Sequence, residues 1–79
     1  MRARVYVTLK PGVMDPQGET LTASLKRLGF DEVCEVRVGK YLEIEVEGEG
    51  SEGLERVDRM CRRLLANPVL EDYRIEAEG

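Results

Sequence analysis

From Val33 to Glu47 the chain alternates apolar and polar side chains with almost no break. Cys34, Val36 and Val38 share one face. Gly39-Lys40 interrupts the run, after which Leu42, Ile44 and Val46 continue the alternation while Glu43, Glu45 and Glu47 take the opposite side. A period of two over this length is the pattern of strands with one buried face, and a helix does not fit it. The glycine at the interruption suits a short hairpin loop. Two antiparallel strands are therefore expected here, and the remaining elements must be arranged around them.

The flanking segments read as two further strands and two helices. Arg4 to Leu9 alternates again, with Val5, Val7 and Leu9 on one face, and Lys10-Pro11-Gly12 stops it. Asp15-Pro16 has the form of a helix start, with Asp15 as N-cap and Pro16 at the first helical position. Leu21, Leu25 and Leu28 then share one helical face, and Gly29 ends the helix. Gly48-Glu49-Gly50 is a joint, Ser51 a candidate cap, and Leu54, Val57, Cys61 and Leu64 the buried stripe of a second helix that Asn67-Pro68 terminates. Tyr73, Ile75 and Ala77 give a last strand. The order strand–helix–strand–strand–helix–strand is the ferredoxin-like βαββαβ pattern: an α+β fold with a four-stranded antiparallel sheet and two helices on one face. All of residues 1–79 belong to one domain in this reading.

Such a sheet keeps one face bare. Tyr6, Thr8, Arg37 and Tyr41 are expected on it, and they are the candidates for a homodimer face. A core of fewer than about 80 residues rarely supplies more than ~3–5 kcal/mol without a disulfide, a metal or association. Two cysteines far apart in sequence and no histidine leave association as the available support. Dimerisation through this face or an adjoining sheet edge follows as an expectation, with a dimer of dimers as its extension.

The same composition excludes several functions. No histidine is available as general base or metal ligand, and no serine has a base beside it. Gly48-x-Gly50 lacks the lysine of a phosphate loop and follows an acidic strand. No catalytic, cofactor-binding or metal-ligating residue is assigned. A net charge of −4 speaks against a phosphate backbone as partner. The arginines of the second helix have acidic residues four positions earlier: Glu52–Arg56, Glu55–Arg59 and Asp58–Arg62. No apolar run approaches the ~20 residues of a membrane span. Both cysteines fall on expected buried faces, and with no export signal the chain is placed in the cytoplasm.

Two segments exceed what scaffold chemistry requires. In Lys10 to Gly18 the prolines and glycines suit a turn, but Val13 and Met14 have no place in the core pattern. In Leu65 to Tyr73 the same holds for Val69 and Leu70. The runs KPGVMDPQG at 10–18, VRVGKYLEIEVEG at 36–48 and LLANPVLEDYRIE at 64–76 together resemble the PurS family, the small subunit of phosphoribosylformylglycinamidine synthase. The likeness covers essentially the whole chain, whose length fits a complete subunit. Met14 stands where leucine is the commoner residue, and the acidic, glycine-rich linker at 47–53 is a variable part.

The resemblance implies a subunit without catalytic residues in a complex of purine biosynthesis. Its partners would be a second copy of itself, a large synthetase chain that uses ATP and Mg2+, and a glutaminase chain. It would join the last two and assist ammonia transfer. Lys10, Val13, Met14, Asp15, Gln17, Asn67, Val69, Leu70 and Tyr73 are the candidate partner contacts, because prolines fix the backbone around them in advance. The alternative from another class is a ferredoxin-like dimeric regulatory module binding a small effector, against which stands the lack of an anion- or amino-acid-binding loop. An RNA-binding sheet of the same topology would need exposed aromatics on its central strands; Tyr6 is one candidate, and the acidic balance speaks against it.

Overall fold

In the computed structural model, which describes residues 1–78, β1 (Arg2–Leu9) is the centre of a sheet ordered β2-β1-β3. β2 (Lys40–Glu45) and β3 (Glu71–Glu78) pair with it antiparallel on either side. Val5 stands opposite both Leu42 and Ile75, and Ala3 opposite Ile44 and Ala77, so the alternating apolar residues of three strands fall on one face. α2 (Gly50–Met60) lies on that face. Its Val57 and the following Cys61 close the core with Ala3, Val5, Val7 and Ala66, while Leu42, Ile44, Leu65, Tyr73 and Ile75 pack around them.

The hairpin expected at 33–47 does not form. Val33 to Gly39 is not a strand, and the sheet has three strands among the described residues rather than four. Gly39 is not among the glycines with positive φ, whereas a two-residue hairpin loop of type I′ or II′ needs one. It is glycine for a different reason: a Cβ here would meet the Val7 carbonyl oxygen at 2.6 Å. The chain therefore runs on past the end of β1 in extended form. There α1 (Pro16–Arg27) takes the place of a pairing strand. The Val38 N–H donates to Asp15 Oδ2 at 2.8 Å and the Val36 N–H to Thr22 Oγ1 at 3.1 Å. Gly18 in the first turn lets the two approach, since its Cβ would fall 2.1 Å from the Val36 carbonyl oxygen.

α1 and residues 33–38 thus form an arm. α1 makes no substantial packing contact with the sheet or with α2, which corrects the expectation of two helices on one sheet face. The molecule measures 48 × 25 × 14 Å with a radius of gyration of 15.9 Å, where a compact chain of this length would have about 12 Å. Asp15 caps α1 as the sequence suggests, accepting the Gly18 N–H at 2.8 Å. Ser51 does not cap α2; it lies inside the first turn, which begins at Gly50.

α2 ends in a π-turn, Cys61–Leu65, in which the Ala66 N–H donates to the Cys61 carbonyl at 2.9 Å. A π-turn carries one residue more per turn than an α-helix. The stripe Val57–Cys61 therefore continues at Ala66, and Leu64, expected to be buried, is 82% exposed.

Candidate interaction surfaces

Three surfaces follow from this layout. The first gathers the two segments singled out in the sequence at one end of the β1–β3 pair. Leu9 stands opposite Glu71 and Thr8 opposite Asp72. The Lys10 N–H donates to the Leu70 carbonyl at 2.9 Å, and Lys10 Nζ reaches Asp72 Oδ1 at 2.6 Å. Asn67 shapes the β3 approach: its Oδ1 accepts the Val69 N–H at 3.0 Å and its carbonyl accepts the Glu71 N–H at 2.7 Å. Val69 and Met14 stand out at 76% and 71% exposure, Leu70 and Gln17 are exposed, and Val13 is half-buried. Two candidates are internal. Asp15 is buried against the arm, and hydrogen bonds from the Val38 and Gly18 N–H groups, with Arg37 nearby, hold its carboxyl below the ordinary value. Tyr73 faces the core, and its hydroxyl donates to Asp58 of α2, which pushes the phenol upward.

The second surface is the bare sheet face. Tyr6, Thr8 and Tyr41 are on it, Tyr6 directly opposite Tyr41 with ring centroids 5.1 Å apart. Arg74 lies over the Tyr6 ring at 4.1 Å and pairs with Glu76. The Tyr6 hydroxyl donates to Glu76 and the Tyr41 hydroxyl to Glu43. Burial, then the Glu43 carboxylate, raises the Tyr41 phenol. Arg2 bridges Glu43 and Glu45, and Arg4 pairs with Glu78 at 2.6 Å. Arg37 is not on this face. It sits on the arm, donating to the carbonyls of Val13 at 2.9 Å and Lys10 at 3.3 Å, because residue 37 belongs to the extended segment and not to a strand of the sheet.

The third surface was not recognised in the sequence. The apolar stripe of α1 was assigned to the chain's own sheet, but on the arm Leu21, Leu28 and Phe30 are left 46%, 74% and 49% exposed. Leu42, Ile44 and Val46 of the sheet stay only partly covered. A cleft between α1 and residues 34–37 is lined by Thr22, Ala23, Lys26 and Cys34. Cys34, expected on a buried face, is exposed there, again because its segment is not a sheet strand; Cys61 is buried, and burial raises its thiol.

The described residues contain no cluster of three or more potential metal ligands, and no described helix is long and apolar enough to cross a membrane. Fold and surfaces together define a small α+β protein whose described side chains hold backbone and pair charges, with apolar residues of the arm left exposed. The family model described as PurS, phosphoribosylformylglycinamidine (FGAM) synthase, matches residues 2–79. The PurS subunit of Methanocaldococcus jannaschii is 46% identical, with 98% of this chain and 94% of that protein covered. That of Bacillus subtilis is 44% identical over 98% and 92%, and its C2 crystal form superimposes with a TM-score of 0.90 over 99% and 98% of the two chains. A chain of the PurLQS structure from Thermotoga maritima superimposes with a TM-score of 0.83 at 36% identity over 95% and 93%. The chain belongs to the PurS family: it is the PurS subunit of FGAM synthase, a ligase of purine biosynthesis.

Proposed function

We infer that the chain works as a homodimer in the cytoplasm and, in that form, as the non-catalytic subunit that joins the synthetase and glutaminase chains and assists ammonia transfer between them. ATP and Mg2+ belong to the synthetase chain in this reading. The observation that carries it is the arm. An isolated helix below about 12–15 residues is marginal in water, and α1 has 12 residues with no substantial packing on its own sheet. A second copy supplies what is missing on both sides: its α1 covers the partly exposed Leu42, Ile44 and Val46, and its sheet covers Leu21, Leu28 and Phe30. The Glu35 and Arg37 N–H groups find no acceptor among the described residues, while those of Val36 and Val38 are held by α1. Residues 33–38 therefore keep one edge free for pairing between copies, and that pairing would complete the fourth strand of a ferredoxin-like sheet. The Met14, Val69 and Leu70 surface, held together by Lys10 and Asp72, then remains for the other chains of the complex. Reconstitution tests the joining role. The chain alone should leave glutamine, ATP and formylglycinamide ribonucleotide unchanged. Added to the synthetase and glutaminase chains it should restore glutamine-dependent turnover, with ammonia-dependent turnover much less affected. Full glutamine-dependent turnover without the chain would contradict it.

A further inference from the structure

The C-terminal half of α2 carries a surface used neither by the core nor by the arm. Arg56, Arg59, Arg62 and Arg63 fall close together in a chain whose net charge is −4. Their spacing from acidic residues suggests that the first three are paired, but the pairing is uneven. Arg62 meets Asp58 at 2.9 Å and Arg59 meets Glu55 at 3.7 Å, while Arg56 and Arg63 have no carboxylate partner among the described residues. Arg56, Arg59 and Arg63 line an open groove of ≈ 340 Å³ with Met60 and Leu64 between them. Leu64 is there because the π-turn at Cys61–Leu65 rotates it off the buried stripe, leaving it 82% exposed.

The geometry points to a docking surface for a protein partner that presents carboxylates around an apolar side chain. The inference rests on the subunit reading above and adds to the Met14, Val69 and Leu70 surface a second face that meets the other chains of the complex. Guanidinium groups pair with carboxylates through two parallel hydrogen bonds, and arginine and methionine, supplied here by Arg56, Arg59, Arg63 and Met60, are enriched at protein interfaces. The chain's own acidic strand does not fit as the occupant, since Glu43 and Glu45 already hold Arg2. A nucleic acid does not fit an apolar centre on an acidic protein.

The test uses the full chain with purified synthetase and glutaminase chains, comparing wild type with R56E/R63E and with L64S. All three substituted side chains are exposed, so both variants should keep their thermal midpoint within about 3 °C and sediment as the wild type does. Affinity for at least one partner chain should fall about tenfold or more. Raising the salt should weaken wild-type binding and affect R56E/R63E less. If R56E/R63E is poorly folded, R56Q/R63Q should give the same loss in a folded chain. Variants that bind both partner chains as tightly as wild type would overturn the inference, as would R56Q/R63Q dissociating into monomers, which would assign the face to self-association. A wild type that binds neither partner chain would remove the subunit reading itself, an outcome distinct from wild type and variants binding alike.

Discussion

The body and the arm of this chain are built from the same residue types but held together differently. In the body, Val5, Val7, Val57 and Cys61 are essentially inaccessible, and the opposite sheet face has its charges paired, across strands by Arg2–Glu43 and Arg4–Glu78 and along β3 by Arg74–Glu76. Its centre is closed, and only the β2 side, at Leu42, Ile44 and Val46, stays partly covered. In the arm, hydrogen bonds from Val36 and Val38 to Thr22 and Asp15 set the geometry, yet the large apolar residues of α1 face outward. Hydrogen bonds can fix a shape, but each contributes only about 1 kcal/mol net. Burial of an apolar side chain contributes about 1.5–3 kcal/mol, and in the arm that contribution has to come from outside the chain.

The largest effect should separate the two regions outright. Val5→Asp places an unpaired charge where nothing is accessible, and a loss of about 4 kcal/mol or more should leave no cooperative unfolding transition by circular dichroism. Leu21→Asp with Leu28→Asp should keep the body folded and abolish the dimer, so that sedimentation at micromolar concentration gives a monomer. A folded dimer of the double variant would show that the two regions do not differ in this way.

Gly18 sharpens the contrast further. In a helix, Gly→Ala ordinarily stabilises by about 1 kcal/mol. Here the new methyl group would lie 2.1 Å from the Val36 carbonyl oxygen, so G18A should destabilise the arm by about 1–3 kcal/mol, read as earlier dissociation on dilution. Acid should act on the same joint. The Asp15 carboxyl is lowered by the Val38 and Gly18 N–H groups, so its stabilisation is fully present above the ordinary value of 3.8 and lost as pH falls through the lowered one. Dimer dissociation should therefore rise at strongly acid pH, and D15N should flatten that dependence. The smallest effects concern the cysteines: Cys61→Ala opens a small cavity and should cost about 1–2 kcal/mol, whereas Cys34→Ala, at an exposed position, should stay within about 0.5 kcal/mol. Thermal melts of the two single variants compare them.

The body was legible in the sequence because its signals are local. Period-two alternation placed β1, β2 and β3 and helical spacing placed Val57 and Cys61; in the arm, Asp15-Pro16 marked only the start of α1. The hairpin was misread although a signal was present. Cys34, Val36, Val38, Leu42, Ile44 and Val46 all occupy even positions. A two-residue loop at Gly39-Lys40 would have set Val36 against Glu43, mixing core and solvent faces, whereas an unbroken phase means one extended run. Gly39 looked like a turn residue because close approach to the Val7 carbonyl and a turn call for the same amino acid. The fate of α1 was not legible at all, since an amphipathic stripe does not say whose sheet it covers. The π-turn was equally hidden: nothing in Cys61–Leu65 distinguishes it from one more α-turn. Among the candidate contacts, Met14, Val69 and Leu70 are exposed as a docking surface requires, while Asp15 and Tyr73 turned inward because each answers a hydrogen-bonding partner in its own chain.

Whether a second copy orders the arm is tested most directly by backbone amide exchange followed across a dilution series, with sedimentation giving the fraction of dimer at each concentration. If a second copy holds the arm, the amides of β1 and β3 stay protected at every concentration. Those of α1 and of residues 33–38 lose protection in step with the dimer, Glu35 and Arg37 included. Arm amides that remain protected where the chain sediments as a monomer would contradict this.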